Sequence, residues 1–316
     1  MKKVTLGNTG LKVTEVCFGA LPFGPLQKDL KPEEAAEVLS YALDLGINFV
    51  DTAQMYKTYE HIKLALVNRK DRPIIATKSA ASSYENMESA IKEALENMGI
   101  EYIDIFHLHA ARIGEEVFEE RMGAIQCLKD YKSRGIVKNI GISTHNVKLV
   151  EASALNDDID IVFPLINKVG RGILEGSVED MEKAIELCKS HGKGIYIMKA
   201  LGGGTLIDDY DSSMKYVRDL KGEQSIAIGM ISKDEVLYNV KYFNGEHDLE
   251  GIIKIKNKKQ VKVLQHQCIS CGKCIKACHS SAIAFDEKKK SFIDQSKCIQ
   301  CGYCISSCPS FAIRVI

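Results

Sequence analysis

The chain of 316 residues has no excess of charge, no long apolar segment and no export signal. Lys and Arg together number 42, as do Asp and Glu, so the composition does not favour a nucleic-acid partner. No stretch approaches the roughly 18 consecutive apolar residues of a membrane span, and Met1–Thr5 has no apolar signal region. We therefore expect a cytoplasmic protein that neither crosses a membrane nor binds nucleic acid.

Cysteine, in contrast, is abundant, with eleven residues. In a chain without an export signal, this content indicates metal ligation in a reducing compartment rather than disulfide bonds. Three of the eleven lie in apolar patterns and are expected to be inert core residues: Cys17, Cys127 and Cys188. The length fits one large domain and one small one.

The other eight cysteines form one motif written twice near the C-terminus. The spacing C-x2-C-x2-C-x3-C is that of bacterial two-cluster ferredoxins, in which the fourth Cys ligates the other cluster. We therefore predict two [4Fe–4S] clusters. Their ligands are Cys268, Cys271, Cys274 and Cys308 for cluster 1, and Cys298, Cys301, Cys304 and Cys278 for cluster 2. Zinc is the alternative, although zinc sites usually pair two C-x2-C knuckles.

The repeat extends beyond the thiols, since Gly272 corresponds to Gly302. Such a duplication fits two half-domains related by a pseudo-twofold axis. One departure is His279, where ferredoxins usually have the proline that the second half has at Pro309. Short strands are predicted at Ala282–Phe285 and Phe292–Asp294.

Upstream of this motif, short apolar runs alternate with amphipathic helical stretches. Eight runs are candidate buried strands: Val16–Phe18, Ile47–Val50, Ile74–Ala76, Ile103–Phe106, Asn139–Ile142, Ile159–Phe163, Ile195–Met198 and Ser225–Ile228. Helices are predicted at Pro32–Leu45, Glu85–Met98, Glu115–Arg134, Ser177–Ser190 and Lys233–Phe243. Eight strands with intervening helices predict an α/β fold, a closed (β/α)8 TIM barrel, with a doubly wound open sheet as the alternative.

The predicted organisation has three parts. Residues 1–245 form the barrel, 246–262 a linker or solvated strand, and 263–316 a small α+β ferredoxin-like iron–sulfur domain. At the N-terminus, Val4–Leu6 and Leu11–Val13 predict a hairpin that closes the bottom of the barrel.

Four polar side chains follow candidate strands at the end where barrel enzymes carry their chemistry: Asp51, Tyr56, Lys78 and His109. A Lys ammonium beside a Tyr favours the phenolate and lowers its pKa, and a carboxylate holds the Lys in place. A His can hydrogen-bond the substrate oxygen that the Tyr protonates. His107 is either a second catalytic imidazole or an internal hydrogen-bonded residue.

Residues 1–243 resemble an aldo-keto reductase, and the whole chain resembles the subgroup fused to a C-terminal 4Fe–4S ferredoxin domain. The motifs that carry this resemblance are Gly7–Val13, Asp51-Thr52-Ala53 with Tyr56, Glu60, Ala76-Thr77-Lys78, Asp104–His109 and Gly141-Ile142-Ser143. The resemblance implies that Tyr56 is the general acid, that Lys78 and Asp51 tune it, and that His109 orients a carbonyl.

The resemblance also implies a nicotinamide cofactor. Ser143 and Asn167 would hold the nicotinamide amide, and Gly229, Met230, Ser232 and Asn239 the adenosine phosphates, with a helix N-terminus suited to the anion. Glu235 stands where NADP-preferring members often have Arg and suits a ribose hydroxyl instead. Lys199 and Lys233 are candidates to compensate, so NADP(H) and NAD(H) both stay open. Met198 replaces an aromatic residue that stacks on nicotinamide in many members.

We therefore expect an NAD(P)-dependent oxidoreductase that interconverts a small-molecule carbonyl and alcohol, with the clusters as an electron port. Hydride transfer moves two electrons whereas each cube moves one, and coupling them normally needs a converter such as a flavin. The alternative is an electron-transfer protein that connects the clusters to a barrel-bound flavin or a redox partner protein. No flavin fingerprint is present. A third possibility is non-enzymatic, with clusters that are structural or sensory.

Overall fold

Eight parallel strands close into a barrel in the computed structural model, which describes residues 1–246, 260–310 and 312–315. The strands up to the end of the barrel are β1 (Lys3–Thr5), β2 (Lys12–Thr14), β3 (Val16–Gly19), β4 (Phe49–Asp51), β5 (Ile74–Ser79), β6 (Ile103–His109), β7 (Val137–Thr144), β8 (Ile161–Pro164), β9 (Gly194–Ile197) and β10 (Ser225–Gly229). Strands β3 to β10 follow one another around the barrel, and β10 pairs with β3 to close it. The predicted (β/α)8 barrel is confirmed.

Helices cover the outside of the barrel. They are α1 (Pro32–Asp44), α2 (Tyr59–Leu66), α3 (Tyr84–Met98), α4 (Val117–Glu120), α5 (Met122–Ser133), α6 (Val147–Leu155), α7 (Val178–Ser190), α8 (Tyr210–Arg218) and α9 (Lys233–Phe243). The prediction of one helix over Glu115–Arg134 is wrong, because the helix is interrupted at Arg121, between α4 and α5. There the Arg121 guanidinium donates to the carbonyl oxygen of His109 (3.0 Å) and so braces the end of β6.

The inside of the barrel is filled by side chains that point inward from its strands. The N-terminal hairpin adds Val4, Leu6 and Val13 to this cluster, and its two strands pair antiparallel. The hairpin thus closes the end of the barrel opposite the carboxyl ends of the strands, as expected. Cys17, Cys127 and Cys188 are all fully buried among apolar neighbours.

A small domain follows the barrel. Its elements are β11 (Val261–Val263), α10 (Lys273–Ala277), β12 (Ile283–Phe285), β13 (Ser291–Ile293), α11 (Tyr303–Ser306) and β14 (Ile313–Val315). Strand β11 pairs antiparallel with β14, and β12 with β13. Val261 and Lys262, at the end of the predicted linker, are part of β11, whereas residues 247–259 of that linker lie outside the described residues.

The small domain packs on the loops that follow β3, β6 and β9, at the carboxyl end of the barrel. Gln27 Nε2 donates to the Gln300 carbonyl (3.2 Å), and Arg112 Nη1 donates to the Lys276 carbonyl (2.8 Å). Gly203 has φ +73°, and a Cβ there would lie 1.6 Å from the Ile299 carbonyl oxygen. This close approach requires a glycine. Among the described residues, no helix is long and apolar enough to cross a membrane.

Candidate active site and iron–sulfur sites

The centre of the candidate active site is a buried ion pair between two neighbouring strands. Lys78, on β5, donates from Nζ to Asp51 Oδ1 (2.8 Å) and Oδ2 (2.7 Å) and to the Thr52 carbonyl (2.8 Å). Asp51 ends β4, which pairs with β5. Burial lowers the pKa of Lys78 and raises that of Asp51, and the charge of each partner opposes the shift of the other. All three donors of the ammonium are therefore fixed at the bottom of the site.

Tyr56 lies above this pair, at the end of a 3₁₀ turn formed by Gln54–Tyr56. Lys78 Nζ is 4.9 Å from the centroid of the Tyr56 ring. Burial raises the pKa of Tyr56 well above its ordinary value, and the neighbouring Tyr303 and Asp51 add to this. The net lowering of this pKa expected from the sequence is not found, because burial is the largest cause of the shift and the Asp51 carboxylate offsets much of the Lys78 charge. Tyr56 is therefore a protonated phenol in this state.

His109 ends β6 and completes the predicted group of four. Its ring meets that of Tyr56 edge-on, with centroids 6.3 Å apart. Burial, and then the charge of Lys78, hold the pKa of His109 well below its usual range. The imidazole is therefore neutral. Its Nε2 lies 3.1 Å from the hydroxyl oxygen of Tyr303, a residue of the small domain.

A hydrogen-bond chain that the sequence analysis missed lies beneath the ion pair. The Tyr196 hydroxyl, on β9, donates to Asp51 Oδ1 (2.9 Å) and lies 2.6 Å from His107 Nε2. Since a phenol has one proton, His107 Nε2 must carry the hydrogen of the second bond. His107 is thus placed as an internal, hydrogen-bonded barrel residue. Gly141 makes room for it, because a Cβ there would lie 2.0 Å from His107 Nδ1.

A cleft of about 1290 Å³, including its open mouth, extends from Tyr56 and Asp51 along the ends of β3, β9 and β10 to α9. This cleft is the candidate site for the nucleotide. Of the residues predicted to hold the cofactor, Lys199, Gly229 and Asn239 line it. Glu235 also lines it, and its Oε2 accepts a hydrogen bond from Ile231 N (2.6 Å).

The remaining predicted cofactor residues are not among the described residues that line the cleft. Ser143 is buried, and its hydroxyl has no hydrogen-bond partner among the described residues. Asn167 is buried too. Its Nδ2 donates to the Arg171 carbonyl (2.9 Å), and its Oδ1 accepts from Arg171 N (3.0 Å). Met230 is fully buried. Ser232 caps α9, where its hydroxyl accepts from Glu235 N (3.2 Å).

The eight motif cysteines of the small domain surround two cavities. One is lined by Cys268, Cys271, Cys274 and Cys308, and the other by Cys278, Cys298, Cys301 and Cys304. Each cavity thus brings together the four cysteines of one predicted ligand set, including one from the other half of the repeat. Within the described ranges, no three His, Cys, Asp or Glu side chains form a site for a single metal ion.

Backbone amides complete these two sites in the same way in both halves. Ala282 N donates to Cys278 Sγ (3.1 Å), and Ala312 N donates to Cys308 Sγ (3.2 Å). Such N–H···S bonds stabilise thiolate charge and help to set the potential of an iron–sulfur cluster. The donor set therefore fits two four-iron clusters.

Comparison with known protein families gives two matches. A model described as the aldo/keto reductase family matches residues 15–269, and one for a 4Fe-4S dicluster domain matches residues 267–313. L-galactose dehydrogenase of Arabidopsis thaliana is 28% identical over 218 residues, which cover 64% of this chain and 66% of that protein. The uncharacterized oxidoreductase YqkF of Bacillus subtilis is 28% identical over 159 residues, 46% of this chain and 49% of that protein. The matches thus span about half to two thirds of these relatives.

Solved structures share the barrel. A putative aldo-keto reductase from Pseudomonas aeruginosa superposes with a TM-score of 0.66 and 24% identity, covering 77% of this chain and 95% of that one. An aldo-keto reductase from Klebsiella pneumoniae in complex with NADPH gives a TM-score of 0.61 and 15% identity, covering 77% of this chain and 90% of the other. At these identities the likeness shows the fold.

Proposed function

Because this chain belongs to the aldo/keto reductase family, we propose that it interconverts a small-molecule carbonyl and alcohol with a nicotinamide cofactor. We further propose that two [4Fe–4S] clusters in its small domain are an electron port. The observation that carries the first part is the group of Tyr56, His109 and the Lys78–Asp51 ion pair at one end of this cleft. The nicotinamide, when bound, supplies or accepts the hydride.

Tyr56 would give a proton to the substrate oxygen, or take one from it. Its raised pKa keeps it a phenol until a substrate binds. As the proton leaves, the fixed charge of Lys78, 4.9 Å from the ring centroid, stabilises the phenolate that forms. The neutral His109 can orient the same oxygen through one hydrogen bond at its Nε2.

The residues that would hold the cofactor are those named from the sequence: Ser143, Asn167, Lys199, Gly229, Met230, Ser232 and Asn239. Ser143 has an unengaged hydroxyl, whereas the Asn167 amide would first have to leave the Arg171 backbone. The N-terminus of α9 favours a phosphate. Glu235 lines the same cleft, and its carboxylate would repel a 2′-phosphate, which favours NAD(H) over NADP(H).

The predicted cysteine sets would hold the clusters, which exchange one electron each when bound. Together they can carry the two electrons that correspond to one hydride. Cys271 is exposed, and Ile269 beside it is 62% exposed, so the first half of the repeat faces solvent. This exposed half favours a second candidate function, an electron-transfer protein that exchanges electrons with an external redox partner.

An anaerobic titration tests the proposed coupling. The clusters are reduced with dithionite, excess reductant is removed, and NAD+ or NADP+ is added to the holoprotein without any partner. Reoxidation of the clusters with formation of reduced nicotinamide would support one internal circuit, and the starting spectrum would reveal a bound flavin. Clusters that stay reduced with both nucleotides would count against the electron port and leave the external-partner function.

Carbonyl chemistry is tested separately with a Tyr56→Phe variant. We expect its rate of ketone and aldehyde reduction to fall by about 10²-fold or more, the usual contribution of a positioned proton donor. Tyr84→Phe is the matched control, because its hydroxyl bonds Asp130 on the outside of the barrel. Equal rates for Tyr56→Phe and the unmodified protein would show that Tyr56 is not the acid.

A further inference from the structure

Tyr303 of the small domain reaches into the barrel site. It lies between Cys301 and Cys304, and only 7% of it is exposed. Its ring packs in one apolar cluster with Leu26, Ala53 and Tyr56, and its hydroxyl is 3.1 Å from His109 Nε2. The two phenols also interact, because Tyr303 is among the groups that raise the pKa of Tyr56. Tyr303 therefore contacts both side chains that would bind a carbonyl oxygen, His109 through its hydroxyl and Tyr56 through packing.

That position is also the one a substrate oxygen needs. A carbonyl oxygen that takes a proton from Tyr56 and is oriented by His109 must lie between the two. A phenol oxygen can accept the same hydrogen bonds. Tyr56 lines the cleft, whereas His109 is not among the described residues that do so. Tyr303 does not line the cleft either, so a ligand that enters through the cleft meets Tyr56 first.

The contact is held by the close fit of the two domains. Gly302, which precedes Tyr303, has φ +83°, and a Cβ there would lie 2.2 Å from the Leu26 carbonyl oxygen. The ring of His279, the residue after Cys278, lies edge-on to Tyr303 with centroids 4.3 Å apart. Tyr303 is thus fixed by its own backbone and by both halves of the repeat.

The two halves of the repeat differ at this surface. Tyr303 corresponds to Lys273, which is exposed, and Ile299, which is 1% exposed, corresponds to Ile269 at 62%. In the second half, the aromatic Tyr303 and the apolar Ile299 therefore face the barrel. In the first half, the charged Lys273 and the apolar Ile269 face solvent. This asymmetry is what a dedicated contact with the barrel requires.

We propose that Tyr303 is a specificity-determining residue of the barrel site, whose hydroxyl occupies the carbonyl-oxygen position between Tyr56 and His109. A carbonyl compound binds there only by displacing it. Small carbonyls make few other contacts to offset this loss, so the site selects substrates that gain further binding energy along the cleft. The proposal rests on the proposed carbonyl chemistry, since the position is defined by Tyr56 and His109.

The test compares the holoprotein with its Tyr303→Phe variant, both at matched iron content. The probe is para-dimethylaminobenzylideneacetone, a ketone whose absorption moves to longer wavelength when its carbonyl accepts a hydrogen bond. It is titrated with NAD+ present, so that no turnover occurs. Removal of the competing hydroxyl should tighten binding by about tenfold, the effect of one net hydrogen bond, and increase the spectral shift.

Turnover of the same ketone with NADH gives a second readout. We expect the KM of the ketone to fall about tenfold in Tyr303→Phe with little change in kcat. Tyr84→Phe removes a hydroxyl far from the site and should match the parent in both assays. Equal or weaker ketone binding by Tyr303→Phe would overturn the proposal. If Tyr303→Phe binds the ketone more tightly but neither it, the parent nor Tyr84→Phe turns the ketone over, the position of Tyr303 is supported and the proposed carbonyl reduction is refuted.

Discussion

Tyr196→Phe removes one oxygen atom from the centre of the barrel, and its cost can be worked out from two contacts. The hydroxyl donates to the buried Asp51 carboxylate (2.9 Å) and accepts from His107 Nε2 (2.6 Å). A hydrogen bond to a charged group contributes about 1.5–3 kcal/mol, and a buried donor left without a partner costs about 1–3 kcal/mol. We therefore expect a loss of about 3 kcal/mol in the free energy of unfolding, or roughly 5 °C in Tm for a chain of 316 residues.

The assay is thermal unfolding of the holoprotein, followed by circular dichroism and checked by urea unfolding. Tyr216→Phe is the matched control, because its hydroxyl donates to Glu182 in a partly exposed pair. That control should lose less than about 1 kcal/mol. If Tyr196→Phe is no more destabilised than Tyr216→Phe, the chain from His107 through Tyr196 to Asp51 does not stabilise the barrel.

Two further predictions concern the cofactor and pH. Glu235→Gln keeps a side-chain oxygen for Ile231 N but removes the negative charge, so the preference for NADP(H) over NAD(H) in kcat/KM should rise by roughly fivefold to tenfold. Asp234→Asn, one residue away in the same first turn, is the control and should change this preference little. An unchanged preference in both variants would exclude Glu235 from coenzyme choice. Burial holds the folded-state pKa of His107 well below its usual value. The unfolded chain therefore binds more protons below about pH 6.5, and stability that is complete above that pH falls by up to about 1.4 kcal/mol per pH unit on acidification. His107→Gln should make urea unfolding less acid-sensitive than that of the parent; equal slopes for the two proteins would contradict this assignment.

The barrel could be predicted from sequence because its strands are buried on both faces. Parallel strands covered by helices are short, nearly continuous apolar runs, and glycines end the helices between them. All eight strand candidates lie in the observed barrel. Helices α2, α6 and α8 were missed, and α4 and α5 were predicted as one helix. The break between those two lies at Arg121, whose bond to the His109 carbonyl is a long-range contact that no local pattern shows.

Part of the candidate active site could be predicted from the sequence for a similar reason. Asp51 and His109 end strands and Lys78 lies one residue before the end of β5, and barrel geometry brings strand ends together whatever their separation in sequence. Tyr196 was missed because an aromatic residue inside an apolar run looks like ordinary core. Its role depends on the polar atoms that face it across the barrel, Asp51 and His107. The position of Tyr303 depends on how two domains dock, which motif spacing within either domain does not specify.

The duplication nevertheless carries a signal for that docking. Two halves related by a pseudo-twofold axis present equivalent surfaces, but only one of them can face the barrel. Where paired positions differ in chemistry, the apolar or aromatic member should face protein and the charged member solvent. Lys273 and Tyr303 differ in this way, and the structure buries Tyr303 and exposes Lys273. The paired isoleucines Ile269 and Ile299 are identical, so the sequence holds no hint of their opposite burial. The difference between Lys273 and Tyr303 therefore identifies the half that faces the barrel, and with it the cysteine set nearer to the barrel site.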